Sequence, residues 1–261
     1  MGSDSDGWLL PPSQVLASPN FTRGRGRFRQ ADLLVLHYAV DGDVWDEASE
    51  EPDDDRPDPV LSARHPSDDC MDVARLFAKP KRRASSQFVI GRDASVVQCV
   101  RHTDTAWAQG GGAFPLNGPG PLEKPRRGEA NQRGMSIELC NAGWAVDKLH
   151  VPRQNRQRAA HRFTPRRMRE WETFPKAQIG ALEYLVALMR PHMADTTYVL
   201  AHEDMVNTHT QQLRYGKPDK FYGSKVDLGP VFPWGAIPWR KYGLTPVMYD
   251  MGQRAWVERV L

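Results

Sequence analysis

Two apolar runs, each ending in histidine, constrain this chain more than any other feature. They are Leu33-Leu34-Val35-Leu36-His37-Tyr38 and Tyr198-Val199-Leu200-Ala201-His202-Glu203. An unbroken apolar run of this length suits a strand covered on both faces rather than one with a wet side. A histidine at the end of such a strand projects from a rigid scaffold. The two are far apart in the chain, so only a tertiary fold can unite them. A third group, Lys225-Val226-Asp227, carries two functional side chains that share one side if the backbone is extended. Two imidazoles and a carboxylate, with a fourth position open to water, form a zinc site of hydrolytic type. The expected chemistry is that of a hydrolase.

The remaining pattern predicts an α/β chain. Met71 to Phe77 reads as a short helix. Gln87-Phe88-Val89-Ile90 and Val96-Val97-Gln98-Cys99-Val100 flank Gly91-Arg92-Asp93-Ala94-Ser95, two β-rich runs around a turn, which predicts a hairpin. Gly110 to Gly120 is glycine- and proline-rich and reads as loop. Met135 to Cys140 reads as a strand whose alternation sets Ile137 and Leu139 on one face, Glu138 and Cys140 on the other. Ile179, Leu182, Leu185, Val186 and Met189 follow helical spacing, with Pro175 at the start and Pro191 at the stop. Strands alternating with helical segments argue for one α/β domain.

Composition bounds the class. The 261 residues carry a net charge of +3, a hydrophobic share of 40% and three cysteines, Cys70, Cys99 and Cys140. An odd number without paired spacing argues against a disulfide framework. No run approaches the roughly 18 apolar residues of a membrane span. Met1 to Asp6 has neither a basic region nor an apolar core, so no secretory signal peptide is expected. Charge is uneven: Asp41 to Asp58 holds ten acidic residues and one arginine, and Arg153 to Arg169 holds seven arginines. Both read as solvated loops. The arginine stretch could instead meet an anionic polymer, but without interleaved aromatics and with a mild net charge it does not favour nucleic acid.

Several segments together resemble the zinc-dependent N-acetylmuramoyl-L-alanine amidases, the amidase-2 or peptidoglycan-recognition-protein-like group. They are Val35-Leu36-His37-Tyr38, the hairpin Phe88 to Val100 with its Arg92-Asp93 turn, Ala106-Trp107, Asn131, Ile137-Glu138-Leu139, Ala201-His202-Glu203-Asp204, and Lys225-Val226-Asp227-Leu228-Gly229-Pro230-Val231-Phe232-Pro233-Trp234. The last is the most specific. The resemblance implies a single domain with a central mixed β-sheet flanked by helices and with long surface insertions. It implies His37, His202 and Asp227 as ligands of Zn2+, Glu138 as the general base and Lys225 as the group that steadies the oxyanion. Tyr38, Trp107 and Asn131 are candidate substrate contacts. The expected boundaries are an N-terminal arm over 1–30, a catalytic domain over 31–236 with an acidic insertion at about 41–66 and a loop insertion at about 205–224, and a C-terminal extension over 237–261. Two departures stand out. Ser86 is followed by Gln87 and Trp107 by Ala108, where the family often has histidine.

The implied substrate is peptidoglycan or a muropeptide. The implied reaction cleaves the amide between N-acetylmuramic acid and L-alanine of the stem peptide. A lytic setting is expected, either a phage lysin or an exported antibacterial effector, acting on the wall after synthesis in the cytoplasm. The expected state is a monomer, with any immunity or delivery partner left open. A non-catalytic peptidoglycan-binding module and a cytoplasmic recycling amidase remain as alternatives. Within the site, His209 or Asp204 could replace Asp227 as a ligand. Cys140, on the Glu138 face, could be a thiolate nucleophile or a buried free thiol.

Overall fold

A computed structural model describes residues 7–39, 70–109, 114, 129–144, 146–147, 151–162, 168–205, 228–250, 253 and 255–261. The acidic insertion, most of the Gly110 to Gly120 loop, His209, Lys225 and Asp227 lie outside the described residues.

A seven-stranded mixed sheet organises the fold. Its central strand is β2 (Ala31–Ala39), in which Leu33, Leu34, Val35 and Leu36 are wholly buried. The unbroken apolar run has the reason anticipated: both faces are covered. β2 lies between β6 (Gly134–Cys140) and β9 (Met193–Ala201), parallel to each. Outward from β6 come β3 (Phe88–Ile90), parallel to β6, and β4 (Val96–Gln98), antiparallel to β3. Outward from β9 come β10 (Leu244–Asp250), parallel to β9, and β11 (Ala255–Glu258), antiparallel to β10. Helices are α1 (Cys70–Ala78), α2 (Glu129–Arg133), α3 (Lys176–Met189) and the short α4 (His202–Met205).

Helix α3 covers one face. Its Ile179, Leu182, Leu185, Val186 and Met189 share a cluster with Leu34, Leu36, Ile137, Leu139 and Val199. Pro175 stands as its N-cap, and the helix yields at Met189 to a 3-10 turn that holds Pro191. Gln178 is buried in this apolar stripe, where its Nε2 donates to the Ile90 and Cys140 carbonyls at 3.1 and 2.9 Å. These two bonds tie the ends of β3 and β6 to the helix. The opposite face carries two smaller clusters. One packs α1 on Val89, Val97, Cys99 and Cys140; the other gathers Leu33, Val35, Phe114, Leu200, Met205, Tyr249 and Trp256. Ile137 and Leu139 do fall on one face and Cys140 on the other.

Three segments depart from their sequence reading. The stretch Arg153 to Arg169, read as solvated loop, holds β7 (Arg156–Ala160) and the start of β8 (Met168–Glu172), which form an antiparallel hairpin. Its strands lack apolar alternation; hydrogen bonds hold it, with Arg156 donating to Val151 O, Asp147 and Glu170. The N-terminal residues from Gly7 lie on the body. Leu10 is buried in the main core, β1 (Phe21–Thr22) pairs with β5 (Thr105–Ala106), and Arg25 donates to the carbonyls of His102, Gln132 and Gly134. Burial lowers the Arg25 guanidinium to about 10, despite Asp104 and Asp32 nearby. Residues 244–258 do more than extend the domain, since they supply the sheet's β10 and β11 edge.

Candidate active site

The parallel register creates the site. His37 pairs with Glu138 across β2 and β6, and Leu36 pairs with Ala201 across β2 and β9. One step beyond Ala201 stands His202, the first residue of α4. His37, Glu138 and His202 thus come level near the carboxyl ends of three adjacent parallel strands, where open α/β sheets bind their ligands. All three are buried, at 3%, 8% and 4% exposure. The two imidazole centroids are 4.3 Å apart with planes tilted by 49°. Glu138 Oε1 lies 3.8 Å from His37 Nδ1. That exceeds a hydrogen bond, so the carboxylate is a neighbour of the His37 imidazole at this distance rather than a hydrogen-bonded partner of it.

Helix α4 starts directly at His202, and its successive residues project about 100° apart. Each therefore serves a different wall. His202 faces His37. Glu203 faces the β7–β8 side, with Oε2 2.8 Å from His161 Nε2 and Oε1 accepting from Arg162 Nε at 3.3 Å. Asp204 faces the sheet edge, where it accepts from Tyr249 N–H at 2.9 Å and Arg259 at 3.1 Å and pairs with Arg162. Asp204 is wholly buried among these donors, which removes it as a replacement for Asp227 in the metal set. Burial works against ionisation of Glu203, but the hydrogen bond with His161 and the Arg162 charge outweigh it and hold the carboxyl below its usual range. Gly229 N–H also donates to Glu203 Oε2, at 3.2 Å. The first described residues after Asp227 are therefore anchored to the residue after His202. Sequence reading missed Glu203, His161 and Arg162. The available signal was an acidic pair following a buried strand, which favours internal partners over solvent.

A second buried pair braces the Glu138 side. Arg92, from the β3–β4 turn, lies 3.0 Å from Glu172 of β8, and it donates to Thr173 O at 2.9 Å. Glu172 also accepts from Ala142 N–H, just past β6. Tyr38 is half-buried, and its ring packs so closely on Gly143 that a Cβ there would sit 2.4 Å from it. Trp107 is 36% exposed, with its indole donating to Thr22 Oγ1 at 2.9 Å. Asn131 Oδ1 accepts from Gln109 N–H at 2.7 Å, which gives that side chain a loop-holding task. Gln87, in the position where histidine was anticipated, is buried, with Oε1 accepting from Ser136 N–H and Nε2 donating to Asp104 O. It pins β6 from the side.

Among the described residues, no three His, Cys, Asp or Glu side chains converge as metal donors; the histidine pair has its expected third partner outside them. The donor chemistry fits zinc nonetheless. Two buried imidazoles with ring centroids 4.3 Å apart are nitrogen donors of the kind zinc takes.

Residues 27–214 match the family Amidase_2, N-acetylmuramoyl-L-alanine amidase. The chain belongs to the Amidase_2 family. The match covers His37, Glu138 and His202 and ends before the Lys225-Val226-Asp227 segment. Two solved structures are similar to this Amidase_2 chain. A selenomethionine derivative of AmpD shares 20% identity over 93% of this chain and 99% of its own, with a TM-score of 0.48. AmpDh3 from Pseudomonas aeruginosa, in complex with anhydromuramic pentapeptide, shares 18% identity over 91% of this chain and 69% of its own, with a TM-score of 0.44. No curated protein matches the sequence.

Proposed function

We propose that this Amidase_2 chain is a zinc-dependent N-acetylmuramoyl-L-alanine amidase, which hydrolyses the amide between N-acetylmuramic acid and L-alanine of the stem peptide. The observation that carries the reading is the level placement of His37, His202 and Glu138 at one end of the sheet. His37, His202 and Asp227 would hold zinc, which when bound supplies Lewis acidity and lowers the pKa of a coordinated water to near 7.

The chain's own residues do the rest. Glu138 takes the proton of the attacking water and passes it to the leaving amine, as a general base and then acid. Its burial beside His37 limits competing solvent. Lys225 brings a positive charge to the oxyanion that develops on the scissile carbonyl. Glu172, Arg92 and Ala142 brace the end of β6, so Glu138 is held without a flexible tether. Trp107 and Tyr38 are the aromatic candidates for sugar contact.

The long insertions at about 41–66 and 205–224 favour a large substrate, intact wall peptidoglycan, and hence a lytic rather than a recycling role. Mass spectrometry of products from intact sacculi and from soluble anhydromuropeptides tests both points. The expected product is free stem peptide beginning with L-alanine, released faster from sacculi. Glu138→Ala should slow release by about 10²–10⁴-fold with zinc content unchanged. Intact substrate in a zinc-replete reaction would leave only the binding-module reading.

A further inference from the structure

An ion cluster behind His202 takes no part in the chemistry above. Glu203 is 4% exposed and ties its own helix to two other chain segments. Its own helix begins with His202. His161 and Arg162, at the end of the β7 segment, hold its two oxygens at 2.8 and 3.3 Å. Gly229 N–H reaches Oε2 at 3.2 Å.

The Gly229 anchor has little slack. Its φ of +76° is left-handed, and a Cβ there would lie 2.7 Å from Cζ3 of Trp171. Trp171 is itself buried, stacked 5.7 Å from His161 and bonded to Ala159 O. The hairpin, the Gly229 turn and the His202 helix therefore meet around one carboxylate.

Stability alone does not call for this arrangement. Replacing a buried ion cluster by apolar groups of similar volume is often neutral or stabilising. What the charged cluster adds is direction: fixed hydrogen bonds that set where each segment sits. We propose that Glu203 is a positioning residue of the metal centre, clamping the Gly229 turn and the β7–β8 hairpin to the helix headed by His202 and so fixing where that imidazole stands. The inference rests on the zinc reading of the same site.

The test is zinc affinity of the folded protein, measured by chelator competition, on wild type, Glu203→Ala, Glu203→Gln and Leu185→Ala. Partners that orient metal ligands are typically worth 10–100-fold in affinity. Glu203→Ala should weaken zinc binding by about that factor. Glu203→Gln keeps an acceptor for Gly229 N–H but loses the charge, so its affinity should fall between the two. Leu185→Ala, on the far face of the sheet, should lower Tm while zinc affinity holds. If Glu203→Ala fails to fold, Glu203→Gln alone decides, with a loss of about threefold or more required. Zinc affinity in the folded Glu203 variants within twofold of wild type would overturn the inference and leave the zinc reading standing. Wild type without stoichiometric zinc would overturn both.

Discussion

At the scale of single residues, side chains of one chemical type divide into different tasks according to what surrounds them. Glu138, Glu172 and Glu203 are all buried carboxylates. Glu172 pairs with Arg92, and Glu203 is gripped by His161 and Arg162, so both are structural anions. Glu138 lies 3.8 Å from the His37 imidazole instead, the environment that matches the base role proposed for it. Cys140 was the competing nucleophile, and it is buried, as are Cys70 and Cys99. Burial pushes the Cys99 thiol up to about 12, with Cys70 and Glu138 nearby adding to it. A thiol held protonated is a poor nucleophile. The native protein at pH 8 should therefore leave its three thiols unlabelled by a disulfide reagent, and denaturant should expose all of them. Rapid native labelling of Cys140 would revive thiolate chemistry at the site.

At the scale of elements, the legible ones were those with an apolar signature. β2, β9 and α3 show it plainly, and the β3–β4 hairpin announces its turn: Asp93 Oδ1 accepts from Ser95 N–H at 2.9 Å and Gly91 N–H bonds Ser95 O at 2.8 Å. The β7–β8 hairpin was illegible because its strands, rich in arginine and glutamine, are held by polar contacts that depend on distant partners. The C-terminal strands hid for a related reason. Trp256 is only 2% exposed, yet its neighbours are Phe114 at 4.8 Å and Tyr249 at 5.9 Å, and Phe114 comes from far along the chain. Trp256→Ala should cost about 3–5 kcal/mol, the usual range for a large aromatic removed from a core, read from a denaturant melt. A loss under about 1 kcal/mol would mean that β11 is dispensable trim rather than part of the domain.

At the scale of the whole molecule, the two faces of the sheet are covered differently. Helix α3 seals one face with apolar contacts, whereas the opposite face leaves the histidine pair between two smaller clusters. A ligand that binds the folded protein alone stabilises it by mass action. At about 100 times its dissociation constant, zinc should add roughly 2.7 kcal/mol. For a chain of this size each kcal/mol moves Tm by about 2–4 °C, so zinc should raise Tm by roughly 5–10 °C over protein stripped with a chelator. Stripping should also abolish amidase activity, with zinc restoring both. An unchanged Tm and unchanged activity after verified removal of zinc would end the metal reading.

From the chain alone one could read β2, β6, β9 and α3 and the two histidines that end apolar runs, because a buried strand writes its burial directly into its sequence; the role of Glu138 came only from the family resemblance. Nothing local announces which strands are neighbours. Tertiary structure decided that β2 lies between β6 and β9 in parallel register, and this alone brings His37, Glu138 and His202 to one level. It also decided the work of Glu203, since a carboxylate's task depends on which cations and N–H groups distant segments bring to it.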